Sequence, residues 1–142
     1  MNINIKNLQR KVHLSSSELS KIKAVVRRTL RSENAADGAA ITVCLTDDKL
    51  IRQFNRRFLK RDWATDVIAF NLGTGASELS GDVMISAEKA KENGKNFKTS
   101  TNYELLLYAA HGTLHILGYD DKTSGQRKLM EEKQNRILNV NP

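Results

Sequence analysis

Thr101–Asp121 reads TNYELLLYAAHGTLHILGYDD, and the rest of the chain has to be arranged around it. Thr101 and Glu104 form a capping-box pattern, the arrangement with which a helix start satisfies free backbone donors. Leu105, Leu106, Leu107, Tyr108, Ala109 and Ala110 follow with almost no polar break, which predicts a helix buried on most of its surface. The same helix then carries His111 and His115. Four helical residues turn through about 400°, so both imidazoles leave one face a turn apart. Gly118 can take the left-handed conformation that ends a helix. The reversal brings Asp121 back toward the rings, with Asp120 beside it as the alternative carboxylate.

Two neutral imidazoles and a carboxylate around one point suit a divalent metal with open positions for water or substrate. A histidine on an apolar helix is often only a hydrogen-bonded core residue. The glycine-directed return of an acidic residue favours the metal reading of His111, His115 and Asp121. Metalloproteases share the HxxxHxxGxx spacing but place a glutamate general base after the first histidine. Here that position is Gly112, which has no side chain to take a proton, so peptide hydrolysis by that route is disfavoured.

HGTLHILGYDD resembles the HGxLHxxGYDH signature of the YbeY-like family of bacterial rRNA maturation factors, which are metal-dependent endoribonucleases. Asp66-Val67-Ile68-Ala69-Phe70 and Gly81-Asp82-Val83-Met84-Ile85 resemble that family's TDVLSF and GDI.I segments, in the same order. The matches run from Asn55 to Leu138. The resemblance implies a small mixed sheet covered by helices, with the histidine helix buried centrally. It also implies one Zn2+ per chain and cleavage of single-stranded ribosomal RNA during ribosome maturation or quality control, with rRNA and the ribosomal subunit as partners. Two departures stand out. Asp121 occupies the place of the family's third metal-binding histidine, and an oxygen donor there moves preference toward iron or manganese. Leu59 occupies the place of a family arginine, leaving Arg57, Lys60 and Arg61 as substitutes.

The 142 residues are one domain's worth, 1–142, and can bury a core. A net charge of +7 favours an anionic partner, RNA being the commonest in a bacterium-like cytoplasm. Cys44 is the single cysteine, which excludes an intramolecular disulfide, and its apolar surroundings read as packing. The N-terminus lacks the apolar central region of a signal peptide and no stretch is long enough to span a bilayer, so a cytoplasmic protein is expected. The oligomeric state is not legible.

Ile3 and Ile5 alternate with asparagines and predict a short strand. His13 reads as an exposed bystander. Ser15 and Glu18 form a capping box, with Leu14 and Leu19 as a hydrophobic staple, and residues 16 to 31 follow as amphipathic helix. Ala40 to Leu45 reads as a buried strand. Thr46 is the expected cap of a helix over Asp47 to Phe58, with Leu50, Ile51, Phe54 and Phe58 inward. Its outer side and exit hold a basic cluster with Arg52, Arg56, Arg57, Lys60 and Arg61, which can neutralise successive phosphates. Trp63 either stacks on an unpaired base or packs inward.

Val67 to Phe70 and Val83 to Ser86 are the remaining expected strands, joined by a loop bearing Gly73, Gly75, Ser77 and Ser80 that matches no phosphate-loop pattern. Ser86 to Asn93 reads as a short helix stopped by Gly94. Thr123 and Gln126 cap a final helix with Leu129, Met130, Ile137 and Leu138 inward, which reads as a packing lid. The whole is an α+β domain of about four strands and five helices. In it His111, His115 and Asp121 hold the metal, and Arg57, Lys60 or Arg61 contacts phosphate. Asp120 either orients a ligand, accepts a proton or merely shapes the turn. The alternative is a ribosome-assembly RNA-binding protein whose metal is structural.

Overall fold

The structure, a computed structural model, describes residues 1–73 and 78–139. Gly75 and Ser77 of the anticipated loop lie outside them. Alternation sets the first strand: in β1 (Asn2–Asn7) Ile3 is buried between exposed asparagines. β1 runs parallel to β2 (Ala40–Thr46), with Ile5 opposite Val43. A parallel pair needs a crossover, and α1 (Ser16–Ser32) supplies it. β2 runs parallel to β4 (Ser80–Ser86) with Val43 opposite Val83, while β3 (Val67–Asn71) is antiparallel to β4. The order β1-β2-β4-β3 makes the anticipated mixed sheet and leaves β3 on an edge.

The pleat sorts the apolar residues to two faces. Val43, Leu45, Val83 and Ile85 join the larger core with Val26, Leu30, Leu105 and Leu114. Cys44 and Met84 face the other way and meet Ile51 of α2 (Asp48–Leu59) in a smaller cluster. The larger core is covered by α1, α3 (Ala87–Asn96), α4 (Thr101–Ile116) and α5 (Ser124–Asn139). The histidine helix α4 touches α1, α3, α5, β3 and β4, the central position expected of it. Among the described residues no helix is long and apolar enough to cross a membrane.

Both flanking capping boxes form. Ser15 Oγ accepts from Glu18 N at 3.1 Å and Thr123 Oγ1 from Gln126 N at 3.1 Å. Two caps fall one residue away from expectation. Asp47, not Thr46, caps α2, because the buried Thr46 hydroxyl donates to the Ile85 carbonyl at 2.9 Å and ties β2 to β4. Ser100, not Thr101, caps α4 by accepting from Tyr103 N. α3 runs through Gly94 to Asn96, and the glycine serves close packing on the start of α4, where an added Cβ would lie 3.0 Å from the Ser100 carbonyl carbon. Phe58 turns outward, 53% exposed, stacking on Phe54 and meeting Phe70 edge-on instead of entering the core. Leu129 is likewise exposed, the inner stripe of α5 being Met130, Gln134 and Ile137.

Candidate metal centre

α4 can lie close against the sheet because Gly112 has no side chain. A Cβ added there would fall 2.4 Å from Val83 Cγ1 and 3.3 Å from Val67 Cγ2. With that side pressed on β3 and β4, His111 and His115 emerge on a neighbouring face as an edge-on pair with centroids 4.6 Å apart. After Leu117 the chain turns at Gly118, whose φ of +106° is one that side-chain-bearing residues rarely adopt. Tyr119 N then donates to Leu114 O at 3.0 Å, closing the turn. Arg127 Nη1 donates to the carbonyls of Asp121 and Lys122, which fixes the returning segment.

The outcome is convergence. His111 Nε2 and His115 Nε2 are 3.1 Å apart, and Asp121 Oδ2 lies 3.4 and 3.2 Å from them. These three donors can hold a metal ion. Bonds of 2.0–2.2 Å in tetrahedral geometry separate ligand atoms by about 3.4 Å, so the spacing fits such an ion without rearrangement. Asp121, and not the exposed Asp120, is the carboxylate brought to the rings. Burial, then the neighbouring His115, pushes His111 below the ordinary histidine range, against the pull of Asp121 and Asp66. The neutral ring so favoured is the form that ligates metal.

Gln134 completes the centre from α5, a helix whose pattern suggests only a packing lid. Its amide Nε2 lies 3.0 Å from His111 Nδ1. His111 offers Nε2 to a metal only when Nδ1 carries the proton. Nδ1–H then donates to the Gln134 amide oxygen, reached by turning the amide over in place.

The three donors sit in a cleft of about 530 Å³ whose far wall is β3 and the segment between α2 and β3. Asn55, buried on α2, organises that segment: its side-chain amide donates to Trp63 O at 2.9 Å and its carbonyl accepts from Arg61 N at 3.2 Å. Lys60 ends α2 in the left-handed conformation, φ +56°. The basic cluster is thereby divided. Arg61 and Trp63 line the cleft, and Trp63 is 56% exposed, available for stacking and not packed inward. Arg56 lines a separate depression beside Arg52 and Asp62, Arg57 lies over the Phe58 ring, and Lys60 is exposed outside the cleft. Leu59 does line it, 44% exposed, as does Lys122, a cation outside the basic cluster of the sequence. Cys44 is buried, and burial raises its thiol above the ordinary value, as fits packing.

A family model described as Endoribonuclease YbeY matches residues 4–141. Relatives named Endoribonuclease YbeY include one from Desulforamulus reducens, 34% identical over 97% of this chain and 95% of its own. One from Carboxydothermus hydrogenoformans is 36% identical over 96% and 94%, and one from Bacillus cereus 37% identical over 84% of each. A Thermotoga maritima protein solved in solution superposes with a TM-score of 0.67 at 27% identity, covering 96% of this chain and 86% of that one. With a fold that superposes and a family match along almost its whole length, the chain belongs to the endoribonuclease YbeY family.

Proposed function

We propose that the protein is a metal-dependent endoribonuclease that cuts single-stranded ribosomal RNA in the cytoplasm during ribosome maturation or quality control, working on the ribosomal subunit. The observation that carries this reading is the convergence of His111, His115 and Asp121 inside a cleft that also presents Arg61, Lys122 and Trp63. The proposed cofactor is one Zn2+ per chain, with the Asp121 oxygen also admitting iron or manganese. Such an ion lends acidity to a coordinated water and stabilises charge on a phosphoryl oxygen.

The remaining roles fall to side chains. Gln134 holds the His111 ring in its ligating tautomer. Arg61 and Lys122 contact the phosphates flanking the bond to be cut, and the Trp63 face accepts an unpaired base. Arg56, Arg57 and Lys60 contribute a more distant electrostatic footprint for RNA, and Asp120 serves the turn. Arg61 takes the phosphate role for which Arg57 and Lys60 were the alternatives, because Arg61 lines the cleft.

Leu59, an uncharged side chain on the cleft wall, favours a second reading, an RNA-binding assembly protein with a structural metal. Elemental analysis and a ribosomal-RNA cleavage assay separate the two. The nuclease reading expects stoichiometric metal and cleavage that His111→Ala and His115→Ala abolish while the fold survives. Stoichiometric metal with RNA affinity but no cleavage by the unaltered protein would replace it with the assembly reading.

A further inference from the structure

The C-terminal ends of α1 and α5 enclose a cavity of about 440 Å³ apart from the metal cleft, lined among others by Arg28, Arg31, Glu33, Lys133, Arg136 and Ile137. Its one carboxylate is already engaged. Lys133 Nζ lies 3.0 Å from Glu33 Oε2, and the Tyr119 hydroxyl donates to the other oxygen. Arg28, Arg31 and Arg136 therefore face the cavity with no ion-pair partner among the described residues. The Arg28 Nε is shielded from solvent and has no hydrogen-bond partner, the one buried side-chain nitrogen or oxygen in that state among the described residues.

Basic residues in the last turn of a helix offset its exposed carbonyls, and that accounts for Arg31 and Arg136. It does not account for Arg28, whose Nε is shielded from solvent and has no acceptor within hydrogen-bond reach. Nor does it account for like charges held around a hollow with the buried Ile137 in its wall. Planar guanidinium forks beside an apolar wall suit a tetrahedral oxyanion, which offers several acceptors and the opposite charge.

We propose that this cavity is a second phosphate-binding site, taking a backbone phosphate of the RNA strand that also enters the metal cleft. The inference rests on the RNA reading above. α5 touches both the metal centre and the cavity: Gln134 reaches His111 on one face, and Lys133 and Arg136 reach the cavity on the next. A helix is about 10 Å across with its side chains, a gap that a few nucleotides span.

The test uses the full chain loaded with metal, a long single-stranded oligoribonucleotide, a dinucleotide with a single phosphate, and inorganic phosphate. In Arg28→Gln/Arg136→Gln the long strand should bind about tenfold more weakly. The slope of log affinity against log salt should fall by about 0.7 for each phosphate that is no longer neutralised. Dinucleotide affinity and metal content should stay unchanged. Arg136→Gln alone, an exposed position, should give part of the effect and guards against misfolding of the Arg28 variant. In the unaltered protein the Arg28 Nε–H resonance should shift on adding the long strand. Unchanged affinity and slope in folded variants would overturn the proposal. So would an Arg28 signal that responds to inorganic phosphate but not to RNA, which would make the site one for the free anion. If the unaltered protein cuts no RNA yet these variants still bind it more weakly, the nuclease reading falls and the second phosphate site stands.

Discussion

Gln134→Met tests whether the hydrogen bond from α5 governs the metal centre. Methionine keeps the volume of a side chain that is 8% exposed but cannot pair with the His111 nitrogen 3.0 Å away. At that burial no water readily replaces the missing partner, so the ring can rotate and the proton can move to Nε2. Removing a hydrogen bond behind a ligating histidine lowers metal affinity by about 10- to 100-fold, or about 1.4–2.7 kcal/mol. Competition against a chelating dye measures the affinity directly. Melting gives an independent reading: an ion present at about a hundred times its Kd stabilises by about 2.7 kcal/mol, and a tenfold weaker affinity removes about half of that. For a chain of this size the drop amounts to about 3–5 °C in Tm, seen only with metal present. Gln134→Glu keeps an acceptor for Nδ1–H and should retain affinity even if burying the charge lowers overall stability. Equal metal affinity in Gln134→Met and the unaltered protein would show that His111 is oriented by packing alone.

Gly112→Ala should destabilise the protein by about 1–2 kcal/mol, the overpacking against Val83 outweighing alanine's better helix propensity, and lower Tm by about 3–6 °C. Leu59→Arg should tighten RNA binding and steepen its salt dependence by about 0.7 in the log–log slope, because position 59 lines the cleft. Burial, then a hydrogen bond from Asn93 working against it, leaves the Tyr108 hydroxyl raised from 10 to about 12. A raised folded pKa contributes stability that is complete below the unfolded value and is lost as pH climbs through the folded one. Stability should therefore decline between pH 10 and 12, with a late phenolate absorbance step that Tyr108→Phe removes.

Much of this architecture was legible because local rules and tertiary demands agree. The Ser15–Glu18 and Thr123–Gln126 boxes both form, and the His111, His115 and Asp121 spacing delivers the convergence it implied. Legibility failed where neighbouring residues are equally suited locally. Thr46 and Asp47 can both cap a helix, as can Ser100 and Thr101, and the choice at the first pair was made by a bond from Thr46 to a strand far along the chain. The basic residues at the outer side and exit of α2 read as one cluster, whereas the left-handed Lys60 ends the helix and Arg61 lies at the cleft. Gln134 and Asn55 were missed, yet each leaves a signal. Each is a polar residue on an otherwise apolar stripe, Gln134 between Met130 and Ile137, Asn55 a turn after Ile51. Such a residue is kept inside only by partners, and here both partners belong to the cleft.

The border position of β3 carries a consequence for how this cleft is dissected. Val67, Ile68 and Ala69 line it from a strand paired on one side only, so alternate peptide groups turn outward with no strand neighbour among the described residues. Whatever a guest gains from those amides and carbonyls survives every side-chain replacement. Alanine scanning will therefore assign this wall too small a share of binding. An amide-to-ester exchange at Ala69, whose N–H points away from β4 whereas that of Val67 is taken by Asp66 Oδ1, deletes an N–H while leaving the residue intact and is the measurement that would expose it.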